Sequence, residues 1–191
     1  IPPAVSIEPV ADICLTANAQ PINLTTTIVG TTGGTSVFAG PGITDTANGI
    51  FDPKQANLGP NTITLLYTDP NNCRDNATQV INVYETPTAD FIVDKGTICI
   101  DSFVVVEYNG SITSGGTFNW NFGNDVVAPG NGTGPFNIRW STAGNKTISL
   151  VASKNGCTSQ PFTVNTVVEP RVAPVDIECI DQKATEITVG W

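Results

Sequence analysis

The chain has 191 residues, of which 40% are hydrophobic and only 13% charged, against about 25% charged in ordinary globular proteins. That length admits one large domain or two of about a hundred residues each, with enough apolar material for real cores. Its 8 basic and 17 acidic residues leave a formal net charge of −9, so no basic stripe exists to displace phosphate counterions, and no nucleic acid partner is expected. The absence of histidine excludes Ser-His-Asp or Cys-His nucleophilic catalysis within the chain. No apolar run approaches the roughly 20 residues that a membrane-spanning helix needs. With no methionine, Ile1 is not a translation start, and the expectation is a processed or excised piece of a larger chain.

Three segments begin alike. Ile1–Cys14, Thr86–Cys99 and Glu169–Cys179 each pass from a Pro-bearing linker through a short apolar strand to a cysteine. Cys14 and Cys99 lie about 85 residues apart and so, within a residue, do Cys73 and Cys157, a fixed period that signals an array of modules. The expected division is 1–85, 86–168 and 169–191. The last is the opening of a third module cut mid-domain, because two strands cannot bury a sandwich core alone.

In the first repeat Pro21–Gly30 and Gly33–Phe38 are β-rich, and Gly40-Pro41-Gly42 punctuates the middle. Gln55–Leu58 reads as one short helical turn before Gly59-Pro60. Asn61–Thr68 alternates apolar and polar residues, Asp69-Pro70-Asn71-Asn72 is a turn, and Thr78–Tyr84 closes the sheet. In the second repeat Phe103–Tyr108, Thr117–Phe122, Pro135–Trp140, Lys146–Ser153 and Pro161–Val168 read as strands. Ile148, Leu150 and Ala152 alternate there with Thr147, Ser149 and Val151, and Asn155-Gly156 marks a tight hairpin before Cys157. Beyond Glu169, Ala173-Pro174 starts one strand and Thr185–Trp191 makes another.

Several residues invite chemical readings. Asp52, Asp69, Asp75, Asp90, Asp94 and Asp125 offer oxygen ligands for structural Ca²⁺, with Asp90 and Asp94 nearest a module junction, but hard cations need several such groups converging. No D-x-D-x-[DN]-G loop is present, and solvated Asx turns explain the same residues. No other cofactor and no metal site is expected, since the five cysteines form no C-x-x-C and lack histidine partners. Trp120, at period two with Phe118 and Phe122, and Trp140, at period two with Phe136 and Ile138, read as core and not as a sugar platform. The acids sit singly in turns, so a paired-carboxylate hydrolase finds no support, and no enzyme activity is expected. Asn23, Asn76, Asn109, Asn131 and Asn145 lie in N-x-[ST] sequons, which also arise by chance in a Thr/Asn-rich chain.

The stretch Phe118-Asn119-Trp120-Asn121-Phe122-Gly123-Asn124-Asp125 resembles the W-x-F-G-D core of PKD-type immunoglobulin-like modules, with Asn124 interrupting the usual Gly-Asp. Gly134-Pro135-Phe136 through Lys146–Leu150 to Asn155-Gly156-Cys157 resembles the version repeated in giant secreted adhesins of Bacteroidota. The first repeat resembles bacterial Ig-like repeats through its Gly40-Pro41-Gly42, Phe51-Asp52-Pro53 and Tyr67-Thr68-Asp69 runs. The last segment resembles the opening of a fibronectin type III module, with Trp191 in the place of the tryptophan that such modules bury. The resemblance implies an all-β fold of tandem immunoglobulin-like β-sandwiches, outside the cell or on its surface, exported by the type IX system. It implies a stalk segment of an adhesin for attachment or gliding motility. Its partners would be neighbouring modules of the same chain, secretion or motility machinery, surface polysaccharide or other surface proteins. A polysaccharide- or protein-binding module and spacer modules of a secreted hydrolase are the alternatives. Asp45-Thr46-Ala47 looks like the O-glycosylation acceptor of these bacteria, with Thr46 carrying the glycan.

Cys14, Cys73, Cys99, Cys157 and Cys179 are disulfide candidates, since repeating, widely spaced cysteines suit an oxidising compartment; buried cytosolic thiols are the alternative. One pairing puts a bridge in each module, Cys14–Cys73 and Cys99–Cys157. In an immunoglobulin-type sandwich, however, Cys99 and Cys157 fall at opposite poles, roughly 25 Å apart, and a disulfide needs Cα atoms within about 7 Å. The other pairing is Cys14–Cys157, across the junction. Both remain open at this point.

Overall fold

The structure, a computed structural model, describes residues 2–127, 131–172, 179–183 and 186–190. Successive side chains leave a strand on opposite faces, so half-buried strands alternate in polarity. The first repeat forms β1 (Ala4–Ile7), β2 (Ile13–Leu15), β3 (Ile22–Asn23), β4 (Thr26–Val29), β5 (Thr35–Ala39), β6 (Ile43–Asp45), β7 (Ile50–Phe51), β8 (Gly59–Thr68) and β9 (Arg74–Glu85). They assemble as a four-stranded sheet β2-β9-β8-β5, a three-stranded sheet β3-β7-β6 and the pair β1-β4. Along β8, Asn61, Ile63, Leu65 and Tyr67 are buried while Pro60, Thr62, Thr64 and Leu66 face out. Ile63 and Leu65 join Ile7, Leu24, Phe38, Phe51, Ile81 and Val83 in one apolar cluster, each worth about 1.5–3 kcal/mol of burial.

Two local expectations change. The run Pro21–Gly30 is two short strands, because Leu24 turns inward between them and its N–H donates to the Gly49 carbonyl at 2.9 Å. Gly49 has φ 66°, and a Cβ there would lie 2.7 Å from the Phe38 ring, so both the backbone and the packing require glycine. Gln55–Leu58 forms no helical turn. The Gln55 N–H donates to the Asp52 carbonyl at 3.0 Å, closing a β-turn that the Asp52 carboxylate reinforces by accepting the Lys54 N–H at 2.9 Å.

The second repeat forms β10 (Phe91–Val93), β11 (Thr97–Cys99), β12 (Val104–Tyr108), β13 (Thr117–Asn121), β14 (Val126–Val127), β15 (Phe136–Trp140), β16 (Gly144–Lys154), β17 (Cys157–Thr158) and β18 (Phe162–Glu169). Its sheets are β10-β12-β15-β14 and β11-β18-β16-β13, with β17 paired to β16. β19 (Cys179–Lys183) and β20 (Glu186–Gly190) form an antiparallel hairpin. Ala173, Pro174 and Trp191 lie outside the described residues. Among the described residues there is no helix.

The chain divides into two compact units. The first contains Ile1–Phe91, Tyr108–Asn119 and Leu150–Phe162; the second contains Ile92–Glu107, Trp120–Ser149 and Thr163–Trp191. In the second unit Val104, Val106, Ile138, Trp140 and Ile148 are completely buried. The Trp140 Nε1–H donates to the Phe122 carbonyl at 2.9 Å. Trp120 stacks on Phe122 with centroids 5.4 Å apart and meets Phe136 edge-on at 5.8 Å. Both tryptophans therefore serve packing, Trp140 wholly and Trp120 half-buried.

Candidate functional site

The distinctive chemistry of the first unit is a disulfide between Cys14 and Cys157, with Cα atoms 5.5 Å apart. It joins the two sequence repeats. β2 runs parallel to β9 with Cys14 opposite Tyr84, so Cys14 sits where β9 is about to leave the sheet. β16 reverses through Asn155 (φ 52°) and Gly156 (φ 78°), the paired left-handed residues of a type I′ turn. That turn sets Cys157 opposite Lys154 and buries it completely.

The one-bridge-per-module pairing is thereby corrected. Cys73 and Cys99, two of the disulfide candidates, are exposed free thiols, and Cys179 lies in a strand whose side chains are outside the described residues. The reason is strand register. β8 and β9 pair from Gly59 opposite Val83 to Thr68 opposite Arg74. Cys14 lies at the first end of that ladder and Cys73 at the second, about 30 Å away, far beyond the reach of a disulfide.

Hydrogen bonds in the same unit hold the segment between the repeats. Thr86 Oγ1 donates to the Leu15 carbonyl at 3.0 Å. The Thr88 N–H donates to Ser111 Oγ at 3.0 Å, and the Ser111 N–H donates to Thr88 Oγ1 at 3.1 Å. The hydroxyl of Tyr108, itself buried, donates to the Thr88 carbonyl at 2.8 Å and accepts the Ile112 N–H at 2.9 Å. Removing it leaves the buried Ile112 N–H and the part-buried Thr88 carbonyl unmatched, so Tyr108→Phe is expected to cost about 1–3 kcal/mol in denaturant unfolding. A loss of a few tenths would show that water replaces the hydroxyl. Phe91 and Phe162 meet edge-on at 5.2 Å, beside a groove of about 580 Å³ lined by Leu15, Thr16, Pro87, Asp90, Gln160 and Phe162.

The aspartates proposed as Ca²⁺ ligands do not converge, and among the described residues no three acidic, cysteine or histidine side chains form a metal-sized group. Each is used locally. Asp69 Oδ1 accepts the N–H groups of Asn71 and Cys73, both at 2.8 Å. Asp75 Oδ2 accepts the Val5 N–H at 2.8 Å, and Asp125 Oδ2 accepts the Thr142 hydroxyl at 2.9 Å. Asp90 contributes its carbonyl to the Asn109 N–H. The Lys95 ammonium and the Val105 N–H both donate to the Asp94 carboxylate and hold its pKa below the ordinary value of 3.8. A lowered folded-state pKa stabilises the fold above the unfolded-state value, and that contribution disappears as pH falls through the lowered one. An NMR titration is therefore expected to place Asp94 below 3.8, and Lys95→Ala to move it upward. A midpoint at or above 3.8 would contradict these bonds.

Asp45 also lies below its usual value, held by the Asn48 side chain and backbone N–H and by the Ala47 N–H. This turn presents Thr46 exposed to solvent while its carbonyl accepts the Phe38 N–H.

Asn61 and Lys146 are among the buried polar residues that were not singled out in the sequence. Asn61 accepts the Asn57 N–H and donates to the carbonyls of Asn57, Gly59 and Ile81. Lys146 is almost fully buried; its ammonium donates to Thr142 Oγ1 at 2.7 Å and lies 3.9 Å from Asp125. The period-two pattern carried the signal, since Asn61 leads Ile63 and Leu65 as Lys146 leads Ile148 and Leu150 on the inner face. Lys146 borders a polar groove of about 440 Å³ with Asn121, Asn124, Asp125, Asn145 and Thr147.

No family model matches the chain, and no curated protein matches it. Solved structures do. An I-band fragment of titin, I67–I69, matches with a TM-score of 0.54 at 11% identity over 89% of this chain and 66% of that one. Sidekick-1 immunoglobulin domains 1–4 match with a TM-score of 0.53 at 9% identity, covering 90% of this chain and 49% of that one. The N-terminal eight Ig domains of Down Syndrome Cell Adhesion Molecule match with a TM-score of 0.51 at 13% identity, covering 87% and 24%. The chain thus spans less than two thirds of the length of each. At these identities the likeness is one of fold: tandem immunoglobulin-like β-sandwiches.

Proposed function

We propose that this chain is a stalk segment of a large secreted bacterial surface adhesin, serving attachment or gliding motility by providing reach and stiffness. One observation carries this reading: the Cys14–Cys157 bridge joins the two repeats, alongside the Thr86 and Thr88 hydrogen bonds. Such chemistry limits bending and supplies no reactive group. Pro87 and Pro170, in the segments that follow β9 and β18, restrict the backbone in the same sense. A disulfide placed there suits an oxidising, extracellular location, and the sparse charge suits a long passive surface. In the spacer role the segment has neighbouring modules as partners and carries no catalytic site.

The test is replacement in the producing cell. Exchanging the segment for two unrelated immunoglobulin-like modules of equal length is expected to preserve attachment and spreading. Their loss would refute the spacer role. A second reading, a polysaccharide-binding module, draws on the Asn-lined groove beside Lys146. Saturable binding of the isolated chain to a glycan array, lost in Asn124→Ala, would favour it.

A further inference from the structure

The two free thiols occupy the same places in their repeats as the two bonded ones. β2 and β11 each run parallel to the last strand of their repeat, with Ile13 opposite Val83 and Thr97 opposite Val167, the same sequence spacing in both. Cys14 opposite Tyr84 and Cys99 opposite Glu169 are therefore equivalent strand-end cysteines. Cys73 and Cys157 are equivalent hairpin cysteines. Each follows a left-handed turn, Asn72 (φ 63°) in one and Asn155–Gly156 in the other, and each begins the return from the long strand, β8 or β16. The bridge in this chain joins the strand-end cysteine of one repeat to the hairpin cysteine of the next. That leaves the strand-end cysteine of the second repeat and the hairpin cysteine of the first, both exposed.

We propose that Cys99 and Cys73 are half-sites of the same inter-repeat bridge, so that Cys99 bonds the hairpin cysteine, and Cys73 the strand-end cysteine, of a further repeat of this type. The partner class is a sandwich with the matching thiol. The contact is heterologous, each end complementary to the other and not to itself, so it propagates. Formation is thiol–disulfide exchange with a small or protein disulfide as oxidant. Two S–H bonds break and one S–S bond forms, while two electrons and two protons pass to the oxidant, leaving it as a pair of thiols. The proposal is independent of the spacer reading, since a ligand-binding array would link in the same way.

A second copy of the chain is the probe. In a Cys179→Ser background, concentrated chain treated with oxidised glutathione is expected to give a ladder on a non-reducing gel, with peptide mapping joining Cys73 to Cys99. Cys73→Ser or Cys99→Ser alone is expected to remain monomeric, and an equal mixture of the two to give dimers and nothing larger. Cys14–Cys157 must map intact in every sample, which certifies the fold. Dimers from either single variant, bridges mapping as Cys73–Cys73 or Cys99–Cys99, or both thiols ending as glutathione adducts without linkage would overturn the proposal.

Discussion

Replacing Cys14 and Cys157 together by serine is expected to lower stability by about 2–5 kcal/mol, measured by denaturant unfolding. The bridge closes a loop with a sequence separation of 143 residues, and the chain-entropy estimate for such a loop is about 5 kcal/mol. Measured effects fall below that ceiling when the unfolded chain retains structure. The slope of stability against denaturant should rise as well, because the unfolded chain without the cross-link exposes more surface. Pulling on single molecules gives a second readout. With the bridge intact, the residues between the cysteines cannot extend; reduction should release about 500 Å of contour length, at roughly 3.5 Å per residue. An unchanged contour length after reduction would mean that Cys14 and Cys157 are not joined.

Trp140→Ala is expected to destabilise the protein by about 3–5 kcal/mol, the range for removing a large aromatic side chain from a core. Trp140 is completely buried, and its indole N–H satisfies the Phe122 carbonyl. Trp140→Phe separates the two contributions. It keeps most of the apolar volume but leaves that carbonyl unpaired, so about 1–3 kcal/mol should be lost. Equal losses in the two variants would show that the hydrogen bond outweighs the packing, contrary to this account.

The strands were legible because their polarity alternates. Asn61–Thr68 and Lys146–Ser153 each lie within a strand at their predicted positions, and Asn155-Gly156 makes its hairpin through left-handed dihedrals available to those residue types. Alternation also carried the inward placement of Lys146, but a lysine in that register is read as a polar outlier until Thr142 and Asp125 are seen beside it. Pro21–Gly30 misled because its composition is β-rich throughout. Composition does not record that Leu24 must leave the ladder to reach the core. The acidic residues were the least legible as a set. Asp52, Asp69, Asp94 and Asp125 sit at turns or bends and Asp75 in β9, each with its carboxylate taken by an N–H, a hydroxyl or a lysine, and convergence on a cation is a property of three dimensions.

Sequence alone determined the all-β class, the repeat of about 85 residues and the long alternating strands such as Asn61–Thr68 and Lys146–Ser153, since these rest on local periodicity and turn chemistry. Tertiary structure alone decided how the cysteines pair. Equal spacing allows either pairing on paper, but β-strand register puts Cys14 and Cys73 at opposite ends of one ladder and brings Cys14 to 5.5 Å from Cys157 in the next repeat. A disulfide obeys distance in space, and distance in space is what a linear period leaves out.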